Sequence, residues 1–485
     1  MKRNFIHKTV IFVTALLSIS FYPESKTTLP NIVLIYMDDV GYGDLGVNGA
    51  LEFSTPHIDK LASDGMRFTN FHTVQAVCSA SRAALLTGCY PNRIGISGAL
   101  FPYSKTGLNL NEITIAELVK QKGYATAIFG KWHLGDDKRF LPLAQGFDQY
   151  FGIPYSNDMW PVWFDGKPVT NEHPNKLRFP TLPLIAQNEK AEEIKTLDDQ
   201  ALLTKKYTDK AIEFIKTHKT KPFFLYLPHS MAHIPIAASA AFKGKSKQGT
   251  YGDVMMELDW SVGEIVKTLD ALKLSKNTMI ILSSDNGPWL NFGNHGGSAG
   301  GLREGKGSVW EGGHRVPCII KWPGVVPAGM INNKLTATID LFPTIASICN
   351  IALPGHKIDG IDLLPMIKGN RELTPRKYLY YYYNANSLKA VRRDEWKLML
   401  PHTGLTYSDF AIGKDGFPGQ VNQNATVPMA LYDLRRDPGE RYDVMDQYPE
   451  IVKELQEVAE IAREDLGDNI TGRMGKNLRL PGKVE

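Results

Sequence analysis

Short apolar runs rich in β-branched and aromatic residues alternate along the chain with stretches of helical periodicity. The clearest run, Asn31–Tyr36, is apolar almost throughout, as is typical of a parallel strand buried on both faces. Further strands are predicted at Ala125–Phe129, Pro222–Leu227 and Thr278–Ser283, and helices at 57–65, 81–88, 112–122 and 251–272. This alternation predicts an α/β fold with a large mixed, mostly parallel sheet flanked by helices on both faces.

The pattern changes beyond about residue 370. Tyr378–Tyr383, Lys389–Arg392 and Trp396–Met399 resemble short antiparallel strands, and Glu450–Ala462 an amphipathic closing helix. We therefore expect an N-terminal domain at 26–370 and a smaller C-terminal subdomain, an antiparallel sheet with a closing helix, at 371–485. Residues 165–200 contain scattered proline, asparagine and charged residues, and are expected to form a surface segment that lies over the main sheet.

The N-terminus has the composition of a signal peptide. A basic start is followed by the apolar run Thr9–Phe21, which is too short to span a bilayer. Residues 1–25 are therefore predicted to direct export, which makes the protein periplasmic or secreted with no membrane anchor in the mature chain. The formal net charge of +4 gives no reason to expect nucleic-acid binding. Cys89, Cys318 and Cys349 fit buried apolar packing, although disulfide pairing in an exported chain stays open.

Two predicted strands end in polar residues that could bind a cation. Asp38 and Asp39 follow the first strand, and Asp285 and Asn286 follow the strand at Thr278–Ser283. Ligands of open α/β sheets bind beyond the carboxyl ends of the strands, so these side chains are expected to meet there. Three carboxylates and an amide oxygen suit Ca²⁺ or Mg²⁺ rather than Zn²⁺. Each pair alone would equally fit a turn or a helix cap.

A third element places a cysteine at the start of a helix. Cys78 precedes a predicted helix, whose N-terminus stabilises anions, and Arg82 lies one turn further along. Without further context, ordinary packing or a disulfide with Cys89 would explain Cys78 as well.

The stretch Cys78–Arg82, followed by Leu86-Thr87-Gly88, resembles the signature of the type I sulfatases in the alkaline phosphatase superfamily. The usual pattern is Cys-x-Pro-Ser-Arg, and Ala80 stands here in place of proline. Gly152–Ser156 resembles the arylsulfatase A-like branch of that family. Other segments that resemble the family are 31–39, 41–44, 55–59, 130–135, 229–235, 305–306, 311–313, 431–434 and 437–440.

The resemblance implies an alkaline phosphatase-like catalytic domain and a nucleophile made after translation. Cys78 would be oxidised to Cα-formylglycine by a dedicated maturation enzyme. The divalent cation, Ca²⁺ or else Mg²⁺, would be held by an oxygen of modified Cys78 and by four further residues, Asp38, Asp39, Asp285 and Asn286.

The same resemblance assigns the residues around the sulfate group. Arg82 and Lys131 would hold the formylglycine and the sulfate, and His133 would lie beside the hydrated aldehyde. His233 and Lys306 would face the sulfate and the leaving oxygen. The family's arylsulfatase A-like members also contact the sulfate through a serine, which corresponds to Ser156.

Hydrolysis of sulfate monoesters, most naturally on a sulfated glycan, is the function that these residues imply. A formylglycine-dependent phosphonate or phosphodiester hydrolase shares much of the motif set and is an alternative. A catalytically silent carbohydrate-binding homologue, in which Cys78 stays a thiol, is a third reading.

Overall fold

The computed structural model describes residue 1 and residues 29–171, 174–370 and 372–484. The predicted signal peptide, apart from residue 1, lies outside the described residues. A ten-stranded sheet dominates this part of the chain. Its strands, numbered along the chain, are β1 (Asn31–Met37), β2 (Met66–Phe68), β3 (Ala125–Phe129), β4 (Gln149–Gly152), β5 (Leu182–Ala186), β6 (Glu189–Ile194), β7 (Phe223–Pro228), β8 (Thr278–Ser284), β9 (Cys318–Lys321) and β10 (Met330–Asn332).

The sheet has the order β10-β2-β9-β8-β1-β7-β3-β4-β5-β6. Its five central strands, from β8 to β4, run parallel, and β9, β5 and β6 run antiparallel to their neighbours. Strand β1 lies in the middle and pairs with β8 from Asn31 opposite Thr278 to Met37 opposite Ser284. This register brings the carboxyl ends of β1 and β8 to the same level.

Helices cover both faces of the sheet, as predicted, because alternate residues of its buried strands enter different cores. The α-helices are α1 (Pro56–Ser63), α2 (Cys78–Thr87), α3 (Ile115–Lys120), α4 (Pro174–Leu177), α5 (Leu197–Ala201), α6 (Leu203–Thr217), α7 (Thr250–Ala271), α8 (Glu311–His314), α9 (Leu341–Ile348), α10 (Leu364–Ile367) and α11 (Pro449–Leu466). Val33 and Ile35 pack in a core with α1, α6 and α7, whereas Ile32 and Leu34 pack in a second core with α2, α3 and α9.

The C-terminal part forms a four-stranded antiparallel sheet, as predicted. Its strands are β11 (Tyr378–Tyr383), β12 (Ser387–Arg393), β13 (Trp396–Met399) and β14 (Ala430–Asp433). Helix α11 closes this sheet and buries Leu455, Val458 and Ala462 in a third core. A two-stranded hairpin of His402–Thr406 and Asn422–Val427 projects from it, and other two-stranded pairings join Phe71–His72 to Thr336–Ala337 and Thr106–Gly107 to Gly482–Lys483.

Two segments differ from the expectation. Within 165–200, β5 and β6 extend the main sheet instead of only covering it, with Phe151 of β4 opposite Ala186 of β5. The charged, largely exposed β6 gives no strand pattern because an edge strand needs few apolar residues. Helix α2 begins at Cys78 and not at residue 81, and all ten of its residues are buried, so it lacks an amphipathic pattern that could mark its start.

Among the described residues, every helix is too short or too polar to cross a membrane.

Candidate active site

The predicted acidic residues meet at the carboxyl edge of β1 and β8. Because these strands are paired in register, the Asp39 backbone nitrogen donates to Asp285 Oδ1 at 3.1 Å. The Asn286 side-chain nitrogen donates to Asp39 Oδ1 at 2.7 Å. Asp39 turns the chain out of the strand with a left-handed φ of 57°. All four polar side chains, including that of Asp38, are buried, so water does not screen their charges.

Cys78 lies beside this acidic edge as the first residue of α2. Its sulfur is 3.6 Å from Asp38 Oδ1, and only 2% of the residue is exposed. A neighbouring loop holds the helix start in place, because Leu100 donates its backbone N–H to Ser79 Oγ at 2.9 Å. Burial raises the pKa of the Cys78 thiol above its ordinary value, while Lys131 works in the opposite direction.

Three cations face the carboxylates. Arg82 Nη2 lies 2.8 Å from Asp285 Oδ2 and 3.1 Å from Asp38 Oδ2. Lys131 Nζ, just beyond the end of β3, lies 2.5 Å from Asp38 Oδ2. Burial opposes ionisation of Asp38, but Lys131 and Arg82 together lower the pKa of Asp38 well below its usual range.

The third cation comes from the loop before α8. Lys306 Nζ lies 2.9 Å from Asp39 Oδ2. Although burial disfavours its charge, the carboxylate of Asp39 raises the pKa of Lys306 above the ordinary value. The amine also sits 4.1 Å from the centre of the Trp289 ring, which forms one side of the site. Lys306 is therefore protonated at neutral pH.

His233 and Ser156 lie together opposite Cys78. Ser156 Oγ is 3.3 Å from His233 Nε2 and 3.2 Å from Lys131 Nζ. His233 Nε2 is also 3.6 Å from Asp39 Oδ2. Burial lowers the pKa of His233, and the positive charge of Lys306 lowers it further.

His133 occupies the loop after β3 in a left-handed conformation, with φ of 62°. Its Nε2 lies 2.8 Å from the Leu100 carbonyl oxygen, and its Nδ1 is buried with no hydrogen-bond partner among the described residues. Burial, assisted by Lys131 and Arg82, lowers the pKa of His133 well below its ordinary value. The ring is therefore neutral near pH 7 and has one nitrogen free to exchange a proton.

The side chains at the strand ends fit a hard divalent cation. Candidate ligand atoms of Asp38, Asp39, Cys78 and His233 all lie within 4.8 Å of one another. Asn286 Oδ1 is buried and has no hydrogen-bond partner in the part of the chain that the structure describes, so it can bind a cation. Burial and the charge of Asp38 raise the pKa of Asp285 above its ordinary value, as expected where carboxylates lie close together. Oxygen atoms dominate the set, as Ca²⁺ and Mg²⁺ prefer.

The structure thus brings the predicted site residues into one cluster, namely Asp38, Asp39, Cys78, Arg82, Lys131, His133, Ser156, His233, Asp285, Asn286 and Lys306. His229 lies outside it and contacts Ser261 of α7. The four cysteines of the chain are all buried and unpaired.

Sequence reasoning missed two supporting contacts. The Leu100 carbonyl orients His133, and no side-chain motif could reveal a backbone acceptor. Tyr407, from the C-terminal part of the chain, donates its hydroxyl to the Lys306 carbonyl oxygen at 2.5 Å. A long-range contact of this kind leaves no local signal, so only the folded arrangement reveals it.

Comparison with known proteins agrees with this geometry. The family described as Sulfatase matches residues 30–351, and the family described as N-sulphoglucosamine sulphohydrolase, C-terminal, matches residues 305–465. The chain is 37% identical to N-acetylgalactosamine-6-sulfatase of Mus musculus, covering 93% of this chain and 88% of that protein. It is also 37% identical to arylsulfatase A of Bos taurus, covering 89% and 87%.

A solved structure extends the likeness to three dimensions. The PsFucS1 sulfatase from Pseudoalteromonas sp. superimposes with a TM-score of 0.79 at 28% identity, and the match covers 89% of each chain. The fold is accordingly the alkaline phosphatase-like fold of sulfatases. Since the family match spans well over half of the sequence, the chain belongs to the sulfatase family and is an arylsulfatase A-like type I sulfatase, a member of the sulfuric ester hydrolases.

Proposed function

We propose that the protein hydrolyses sulfate monoesters on a sulfated carbohydrate, using a hydrated Cα-formylglycine made from Cys78 and a divalent cation. The observation that carries this proposal is the position of the Cys78 sulfur, 3.6 Å from Asp38 within a ring of buried carboxylates and cations. A sulfate ester is anionic, so its charge must be neutralised before a nucleophile can approach. Arg82, Lys131 and Lys306 supply three fixed positive charges for this purpose.

The metal would be held by Asp38, Asp39, Asp285 and Asn286, with Ca²⁺ preferred and Mg²⁺ an alternative. When bound, such a cation neutralises sulfate charge and lowers the pKa of a hydroxyl that it contacts. The unpartnered Asn286 Oδ1 and the raised pKa of Asp285 support this assignment.

The formylglycine hydrate would provide two hydroxyls on one carbon, one to attack sulfur and the other to release sulfate afterwards. We assign proton acceptance in the release step to His133, whose low pKa keeps the ring neutral and whose Nδ1 lacks another partner. The proton for the leaving oxygen comes from His233 or Lys306. Ser156, placed between Lys131 and His233, donates a hydrogen bond to the sulfate.

A carbohydrate substrate is supported by what the similar proteins are named for. N-acetylgalactosamine-6-sulfatase and N-sulphoglucosamine sulphohydrolase are both named for sulfated amino sugars. Arylsulfatase A is named for aryl sulfates, which we expect to serve as surrogate substrates. We further propose that the protein is exported to the periplasm or secreted, and that a maturation enzyme acts on Cys78.

The nucleophile can be tested by mass spectrometry. Protein made together with an active maturation system is digested with trypsin, and the peptide Phe68–Arg82 is weighed. We expect the Cys78 thiol to be replaced by an aldehyde and turnover of 4-nitrophenyl sulfate to scale with the modified fraction. Cys78→Ala should be inactive, whereas Cys349→Ala, at the C-terminal end of α9 where the sulfur contacts the Tyr124 hydroxyl, should keep the modification and the activity. Full activity with an intact thiol would refute the mechanism.

Ester specificity separates this proposal from its alternatives. The sulfate and phenylphosphonate esters of 4-nitrophenol and the phosphodiester bis(4-nitrophenyl) phosphate share one leaving group, so their kcat/KM values can be compared directly. We expect the sulfate ester to be hydrolysed fastest. A faster phosphonate or phosphodiester reaction would favour the phosphonate hydrolase, and modified protein that hydrolyses none of them would favour a silent binding protein.

A further inference from the structure

Asp158 is a carboxylate beside the active site that the reaction described above does not use. It follows Ser156 and Asn157 in the loop after β4. Asn157 anchors this loop, because its amide donates to the carbonyl oxygens of His233 and Pro235, at 3.2 Å each. Lys176 Nζ fixes the other side by donating to the Asp158 carbonyl oxygen at 2.8 Å. The backbone of Asp158 is therefore held from two directions.

One oxygen of the Asp158 side chain, in contrast, is left without a direct partner, although the side chain also interacts with Ser156. Its Oδ1 is buried and has no hydrogen-bond partner among the described residues. The carboxylate also lies within electrostatic range of the side chains of His233, Lys176 and Lys306. Two of these three residues, His233 and Lys306, are those assigned to the leaving oxygen. A buried carboxylate oxygen without a donor is unfavourable, so a donor supplied by a ligand would be bound strongly.

We propose that Asp158 recognises a hydroxyl or amide N–H on the carbon next to the sulfated carbon of the sugar. This inference rests on the proposed function, because it assumes that a sulfate ester occupies the adjacent site. The carboxylate accepts a hydrogen bond, so it favours an unsubstituted neighbouring group. It also repels a second sulfate or a carboxylate at that position, which excludes substrates sulfated on adjacent carbons.

Three aryl sulfates test this preference without knowledge of the natural glycan. Phenyl sulfate has no neighbouring group, catechol monosulfate has a neighbouring hydroxyl, and catechol bis-sulfate has a neighbouring anion. A site built to bind a hydroxyl discriminates strongly against ligands that lack it. We expect wild-type protein to prefer the monosulfate over phenyl sulfate by at least about tenfold in kcat/KM, and to hydrolyse the bis-sulfate most slowly.

The variant Asp158→Asn keeps the shape of the side chain and removes its charge. We expect the ratio of kcat/KM for catechol monosulfate to that for phenyl sulfate to fall about tenfold or more. The ratio for the bis-sulfate to phenyl sulfate should rise, which is a gain that damage to the fold cannot produce. Asp165→Asn removes an exposed carboxylate of the same loop and should leave both ratios at the wild-type values. Asp158→Ala, checked for Cys78 modification by mass, should repeat the effect.

Each result decides between the two proposals. Equal ratios in wild type and Asp158→Asn would overturn the role of Asp158, and a parallel loss on all three substrates would assign it a structural role instead. Wild-type protein that carries the modification and hydrolyses none of the three sulfates would refute the proposed function itself.

Discussion

Replacing His229 by glutamine should make the fold more resistant to acid while leaving the reaction intact. His229 lies at the end of β7, is 1% exposed, and contacts Ser261 Oγ at 3.1 Å through Nε2. Its Nδ1 is buried and has no hydrogen-bond partner within the described ranges, and burial alone lowers the pKa of His229 to about 3. The histidine is therefore neutral in the folded protein over a range of pH in which the unfolded chain protonates it.

The sign and size of the effect follow from linkage. An unfolded histidine has a pKa near 6.5, so below that pH the unfolded chain binds a proton that the folded protein does not. The stabilising contribution is present above pH 6.5 and is lost as the pH falls toward about 3. Between pH 7.5 and pH 5, this one site should cost about 2 kcal/mol of unfolding free energy. His229→Gln should remove that loss, because glutamine can hydrogen-bond Ser261 and does not titrate.

Urea unfolding followed by circular dichroism at both pH values measures the effect. For each variant, the unfolding free energy at pH 5 is subtracted from that at pH 7.5. Any effect of the substitution that does not depend on pH therefore cancels. Activity on 4-nitrophenyl sulfate at pH 7.5 should be near wild type for His229→Gln and strongly reduced for His233→Gln. If this difference in unfolding free energy changes by less than about 0.5 kcal/mol between wild type and His229→Gln, the linkage argument is refuted.

Three further predictions concern the metal, a cation and the support of the site. Dialysis against EDTA should abolish aryl sulfate turnover, and added Ca²⁺ should restore it. The cation site would be contradicted if elemental analysis shows the protein to be free of metal while its turnover is complete. Lys131→Met should lower kcat/KM by a factor on the order of 100 to 1,000, whereas Lys167→Met, at an exposed lysine, should leave it unchanged. A loss below tenfold for Lys131→Met would show that Lys131 does not bind the sulfate. Glu311→Gln should lower the unfolding free energy by about 3–5 kcal/mol in urea titrations, because the buried cations Arg392 and Lys397 lose the carboxylate that they share. An unchanged urea midpoint would show that these buried ion pairs do not stabilise the fold.

Much of the architecture could be predicted from local patterns. The strand at Ala125–Phe129 has the predicted bounds, and β1 and β8 differ from prediction by one residue each. These strands are buried on both faces and therefore carry continuous apolar runs. Strand β6 carries no such run and a proline, Pro183, interrupts that of β5, since pairing at the edge of a sheet depends mainly on backbone hydrogen bonds.

The candidate site also has features that local sequence patterns indicate and features that depend on the tertiary structure. The sequence by itself indicated the candidate site residues, because Asp38, Asp39, Asp285 and Asn286 directly follow apolar strands and the stretch Cys78–Arg82 resembles the type I sulfatase signature. Only the tertiary structure decided how these residues meet. The parallel register of β1 with β8 brings Asp39 to the Asp285 side chain, and the packing of α2 places Cys78 beside Asp38.

The same distinction applies to residues without a motif of their own. The unpartnered Asp158 oxygen, the Leu100 carbonyl that orients His133 and the Tyr407 hydroxyl under Lys306 are recognisable only from three-dimensional contacts. The physical reason is that hydrogen-bond satisfaction and desolvation depend on neighbours far away in the chain, whereas strand and helix propensity depend on neighbours within a few residues.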